Sequence, residues 1–290
     1  MNRTLKREQP ELVRPAKKLV SRPESPGAKT RPGPVPLKRE NVRFTGDGLL
    51  KESRSARGLR TVSLPLPAAA PLLSLKRSDG RAAEQYRAIR TRLLLQPKRA
   101  GFIVVSSPSV GDGKTVTSIN LAATFALKAG DRVLLVDGDL RASTVHSKLK
   151  LAAGPGLAEV LEGTCRLEDA VIQVAESPNF YILTAGNPSG NPAELLDSPA
   201  WHHLSNRLRN DFRYVIVDSP PVGVVSDSDL LASGCDGVVL VIRQDHTDRA
   251  LCASALARSK DKLLGVIVND SKDWFLWRSY SPHHYYYQQR

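Results

Sequence analysis

Phe102-Ile103-Val104-Val105-Ser106-Ser107-Pro108-Ser109-Val110-Gly111-Asp112-Gly113-Lys114-Thr115-Val116 governs how the rest of the chain is read. An apolar, β-branched run gives a buried strand, a glycine-lysine loop follows it, and Ile119-Asn120-Leu121-Ala122-Ala123 continues as a helix. Gly111 and Gly113 carry no Cβ, so the backbone can curl around an anion and present several N–H groups to it. Lys114 supplies a point charge for the outer phosphates, and the Thr115 hydroxyl suits a hard divalent cation. Asp112 and Val116 complete the wrap, and the helix dipole points its positive end at the same spot. The stretch therefore reads as a site for ATP and Mg²⁺. Pro108 stands where the commonest form of such a loop has Gly, so the assignment draws on its surroundings.

Further apolar runs alternate with helical patterns: Val133 to Val136, Phe180 to Leu183, Tyr214 to Val217, Gly237 to Ile242 and Leu264 to Val268. Candidate helices lie near Gly113 to Lys128, Leu157 to Glu162, Pro192 to Asn210 and Thr247 to Ser259. Strands without polar alternation are buried on both faces, as in a parallel sheet covered by helices. The expected fold is an α/β three-layer sandwich with a mostly parallel sheet. Two of its strands end in acids, Asp137-Gly138-Asp139-Leu140-Arg141 and Asp218-Ser219-Pro220-Pro221. Ligands of open α/β sheets bind beyond the carboxyl ends of the strands, which is where these carboxylates belong.

One Asp after a strand is ordinarily a cap or turn former. Three of them beside a lysine loop are what phosphoryl transfer needs. Thr115, Asp137 and Asp218 are expected at the metal, Lys114 at the transferring phosphate, and either Asp139 or Asp137 at the acceptor hydroxyl. Asn269, ending the strand Leu264 to Val268, is either an adenine contact or a plain turn residue.

Charge is unevenly distributed. Residues 1 to 60 hold sixteen Lys or Arg against six Asp or Glu, a surplus of ten out of the chain's thirteen. Residues 1 to 71 hold ten of the twenty prolines, so residues 1–70 are expected as a disordered basic arm. Such an arm suits an anionic membrane surface or serves as a solvated linker. Nucleic acid is not expected, because Phe44 is its one aromatic residue for bases to stack on. No run reaches the 18 or so apolar residues needed to cross a bilayer. Cys165, Cys235 and Cys252 form neither a disulfide framework nor a metal knuckle. A soluble, cytoplasmic, reduced protein is the expectation.

From Asp79 to Leu95 the apolar residues fall at helical spacing, and Glu84, Arg87 and Arg90 share the other face. Taken alone, that face is a solvated, salt-bridged one. Residues 71–273 form the expected domain. Residues 274–290 form a tail, in which Trp274-Phe275-Leu276-Trp277 precedes Tyr280-Ser281-Pro282-His283-His284-Tyr285-Tyr286-Tyr287.

Over about Asp79 to Asp270, with the tail, these residues resemble the bacterial tyrosine kinase family, the P-loop autokinases of capsule and exopolysaccharide production. Ser107 to Thr115 is similar to the family's variant P-loop, Leu134 to Arg141 to its second acidic motif, and Val215 to Pro221 to its third. Asn191-Pro192-Ala193-Glu194-Leu195-Leu196 also fits the pattern. Glu84, Arg87 and Arg90 resemble its subunit-contact helix.

The resemblance implies an ATP- and Mg²⁺-dependent kinase that phosphorylates Tyr280, Tyr285, Tyr286 and Tyr287 of a neighbouring subunit in a ring. It also implies a membrane-embedded polysaccharide chain-length partner, with this chain as the separate cytoplasmic form held at the inner membrane through that partner. Val110 and Asp112 stand where family loops often have Pro and Glu. Gly138 stands where Ala is usual, and Ala142-Ser143 where Arg-Pro often follows. None of these departures removes a phosphate or metal ligand. Two other functions compete. Partitioning-type P-loop ATPases carry a lysine where this chain has Ser109, and a non-catalytic nucleotide-binding regulator would use the tail only for contact.

Overall fold

The computed structural model describes residues 52–54, 59–64, 80–97 and 100–270. All six expected strands form. They are β3 (Phe102–Ser106), β4 (Val133–Asp137), β6 (Ser177–Leu183), β7 (Tyr214–Asp218), β8 (Gly237–Arg243) and β9 (Leu263–Asn269). Three short strands join them: β1 (Glu52–Arg54), β2 (Arg60–Val62) and β5 (Ile172–Val174). The nine described strands form one sheet in the order β1-β2-β5-β6-β4-β7-β3-β8-β9. From β6 to β9 every neighbour is parallel, while β5 runs antiparallel to β6 and β1 antiparallel to β2.

Both faces of this sheet are covered. On one face α1 (Arg81–Leu94) lies against α2 (Lys114–Ala126), and α3 (Val145–Leu149) completes the layer. On the other lie α4 (Leu157–Leu161), α5 (Leu167–Ala170), α6 (Pro192–Leu196), α7 (Pro199–Asp211), α8 (Asp227–Ser233) and α9 (Arg249–Ser259). Each residue of β3, β4 and β7 is buried, which accounts for their unbroken apolar character. Trp201, fully buried on α7, meets Phe102 of β3 edge to face at 6.2 Å.

Two expectations need correction. The segment expected as a disordered arm contains β1 and β2. The second of these pairs with β5, and Val62 and Leu64 bury their side chains in the core, so residues 59–64 belong to the folded unit. The remainder of the expected arm, residues 1–51, 55–58 and 65–70, lies outside the described residues, as does the tail from 271 onward. The single helix expected over Pro192 to Asn210 is two, because Pro199 holds the preceding Ser198 in extended backbone, at φ −76° and ψ 155°. Among the described residues no helix is long and apolar enough to cross a membrane.

Candidate active site

Strand order brings the three sequence motifs together. β3 feeds the loop 107–113 and has β7 and β8 as neighbours, while β4 lies beyond β7. The carboxyl ends of β4, β7 and β3 therefore stand side by side, with Asp137 paired to Asp218 and Asp218 paired to Val105. In front of them opens a cleft of about 760 Å³ whose lining includes Lys114, Thr115, Asp139, Arg141, Thr144 and Asn269. Val110 and Val224 also line it and leave apolar side chains exposed.

The loop's shape follows from its glycines. Gly111 and Gly113 have φ of +88° and +94°, the left-handed region that ordinary side chains rarely adopt. A Cβ on Gly113 would also collide with the amide of Asn269. The loop is braced from behind. Asp112, fully buried, accepts from the Ser109 N–H at 2.9 Å and from the Thr247 hydroxyl at 2.6 Å, and Asn269 Nδ2 donates to the Asp112 carbonyl at 3.0 Å. The Asp112 carboxylate thus acts as an internal strut and is not a wall of the cleft. Asn269 lines the cleft and spends one of its two amide N–H donors on the loop backbone.

Lys114 Nζ lies 3.0 Å from Asp139 Oδ2. Burial by itself would lower the Lys114 pKa, but the charges of Asp218, Asp139 and Asp137 outweigh it and hold the ammonium above its ordinary range. Asp137 is pushed up to about 7, first by burial and then by the Asp218 charge; the N–H groups of Val145 and Asp139, bonded to it at 3.1 and 3.3 Å, oppose the shift. Asp218 is raised by burial against the pull of Lys114 and of the neighbouring Thr115 and Ser118 hydroxyls, the latter 3.1 Å from Oδ1. Its other oxygen, Oδ2, is buried without a hydrogen-bond partner.

Of the residues expected here, Lys114, Thr115, Val116 and Asp139 line the cleft, and Asp137 and Asp218 lie buried immediately behind them. Thr144, Ser118, Thr247 and Asp227 are additions that sequence reasoning missed. Arg141, quoted within the second acidic motif but given no role, closes a two-pronged bond at 2.8 and 3.1 Å on the fully buried Asp227, tying that motif to the start of α8. Ser118 stands one helical turn beyond Lys114, so helical spacing alone could have identified it.

On α1 the three expected contact residues divide. Glu84 and Arg87 pair with each other, whereas Arg90 Nη1 donates to the Thr124 carbonyl of α2 at 2.8 Å. That bond places one of its nitrogens at the carbonyl end of α2, where a cation is favoured.

Residues 100–255 match the family model described as AAA domain. The chain is 38% identical to "Tyrosine-protein kinase YwqD" of Bacillus subtilis (strain 168) over 195 residues, which is 66% of this chain and 81% of that protein. Among solved structures, the chimerical protein CapA2B2 superposes with a TM-score of 0.65 at 30% identity, covering 68% of this chain and 88% of the other. The kinase domain of Escherichia coli tyrosine kinase ETK gives 0.64 at 27% identity, covering 69% and 79%.

Proposed function

The chain belongs to the bacterial tyrosine-protein kinase family of AAA-domain P-loop proteins, and from that premise we propose that it moves the γ-phosphoryl group of ATP to the tyrosine cluster of a neighbouring copy. The observation that carries this reading is the convergence of Lys114 and three strand-end carboxylates at one cleft beside two left-handed glycines. Loop 111–115 would wrap the polyphosphate, with Lys114 leaving Asp139 to neutralise the phosphoryl group in transfer.

The site also fits Mg²⁺, since three carboxylates face one lysine and Asp218 Oδ2 is buried without a partner. Thr115, Asp137 and Asp218 would hold that ion, whose bound charge offsets the charge of the transferring group. Asp139 lines the cleft while Asp137 lies behind it, accepting two backbone amides. Asp139 is therefore assigned to the acceptor. The phenolic oxygen of tyrosine bonds to the γ-phosphorus as the bond to the bridging oxygen breaks; ADP leaves, and the phenolic proton passes to Asp139.

Tyr280, Tyr285, Tyr286 and Tyr287 are the proposed acceptors, and Glu84, Arg87 and Arg90 the proposed contact between subunits. Regulation of capsule or exopolysaccharide chain length with a membrane-embedded partner is the proposed setting. The competing ATPase reading calls for a lysine at position 109, where the Ser109 hydroxyl instead turns to Asp112 at 3.1 Å.

The test is a mixture of two chains. One carries Lys114→Met with its tail intact, and the other is active but has the four tyrosines replaced by Phe. Phosphate on the Lys114→Met chain supports transfer between subunits. No phosphate on the Lys114→Met chain, while unaltered chains are phosphorylated under the same conditions, overturns it.

A further inference from the structure

Thr144 occupies the N-cap position of α3 but does not cap it. Its side chain makes no bond to the helix, and its φ of −134° and ψ of −11° fall outside the extended conformation usual for a cap. The helix's first amide, Val145 N–H, is satisfied separately by Asp137 Oδ2 at 3.1 Å. The Thr144 hydroxyl, making no cap bond, turns into the cleft and donates to Thr115 Oγ1 at 3.0 Å. A threonine at a helix start ordinarily gains by capping, so its use on another side chain needs a reason at that side chain.

Thr115 sits between a donor and an acceptor. Thr144 occupies one lone pair of its oxygen, and the Thr115 hydroxyl is also within reach of Asp218, whose upward shift it opposes. A hydroxyl has one hydrogen and two acceptor positions. If its hydrogen is turned to Asp218 and one lone pair is filled by Thr144, a single lone pair is left, in a fixed direction. A hard cation needs its oxygen ligands aimed in this way, and losing an outer partner that aims a ligand typically costs about 10- to 100-fold in metal affinity.

We propose that Thr144 is a positioning residue for the divalent cation, holding the Thr115 hydroxyl with one lone pair directed at the metal. This deepens the reading of Thr115 as a metal ligand and rests on it. Because Asp137 caps the same helix that carries Thr144, the position of α3 and the metal's ligand set are mechanically linked through two adjacent residues, Thr144 and Val145.

The test uses the full chain with Mn²⁺ as the probe and ADP as the nucleotide. Free Mn²⁺ is followed by electron paramagnetic resonance, and metal-free ADP binding is measured separately in EDTA. Thr144→Val and Thr144→Ala are expected to weaken Mn²⁺ binding to the ADP complex by roughly 10- to 100-fold. Metal-free ADP affinity and melting temperature should stay close to wild type, and Thr144→Ser should restore the metal. Unchanged Mn²⁺ affinity in both variants overturns the proposal. So does equal loss of metal-free ADP binding, which would make Thr144 a scaffold of the whole cleft. Wild-type protein that binds Mn²⁺ no better than Thr115→Ala would overturn the Thr115 reading itself, and the proposal with it.

Discussion

Asp137 and Asp218 stand directly opposite each other in the parallel pairing of β4 and β7, each the last residue of its strand. Two buried carboxylates at one rung cannot both ionise cheaply. The pair is tolerable because Lys114 approaches from the loop, and it is poised to gain further when a cation arrives.

The first prediction concerns protons. Asp137 rises from 3.8 to about 7 in the ligand-free fold, so the folded state holds this proton more tightly than the unfolded chain does. Its stabilising contribution is fully present below the unfolded value and is lost as pH rises through about 7. Between pH 5 and 8 the ligand-free protein should therefore lose melting temperature through this group, and Asp137→Asn should flatten the slope. Binding of Mg²⁺ and ADP near pH 6.5 should release protons. Calorimetry in buffers of different ionisation enthalpy reads that release directly, and Asp137→Asn should reduce it.

Loop bracing supplies the second. Asp112→Ala removes the acceptor of the Ser109 amide and of the Thr247 hydroxyl while leaving every residue of the cleft wall in place. Leaving such buried groups unmatched costs about 1–3 kcal/mol. Affinity for a fluorescent ADP should fall by a comparable amount, with a smaller loss for Thr247→Val. A wild-type affinity in Asp112→Ala would show that the loop holds its shape without the strut.

Not everything in the site was visible in the sequence. Asp137, Asp139 and Asp218 were legible because each closes or directly follows an apolar run that can only be a buried strand. Thr247 and Asp227 were not. Their partners Asp112 and Arg141 lie 135 and 86 positions away, and no periodicity marks a bond between loops. β1, β2 and β5, at three residues each, are too short to carry an alternating pattern. The proline-rich composition around β1 and β2 masked the burial of Val62 and Leu64. Nothing local in the sequence shows that the Asn269 amide reaches the carbonyl of Asp112.

Gly138 gives the third prediction. A Cβ here would sit 2.9 Å from the Asp218 carbonyl oxygen and 2.9 Å from atoms of both Leu231 and Val217. Backbone cannot yield as a side chain can. Gly138→Ala should destabilise the protein by about 1–3 kcal/mol, as overpacking does. It should also reduce phosphotransfer by shifting β4 against β7, and urea unfolding compared with wild type measures the first effect.

The central claim is that Lys114 and the acids behind it place phosphate on the chain's own tyrosine cluster. The most direct test is phosphopeptide mass spectrometry on protein purified from its native cells and incubated with ATP and Mg²⁺, wild type beside Lys114→Met. The account predicts phosphate on Tyr280 and on Tyr285 to Tyr287 in the wild type, with none arising in Lys114→Met alone. Unmodified tyrosines in wild-type protein that nonetheless hydrolyses ATP, or equal phosphate in both proteins, would contradict it.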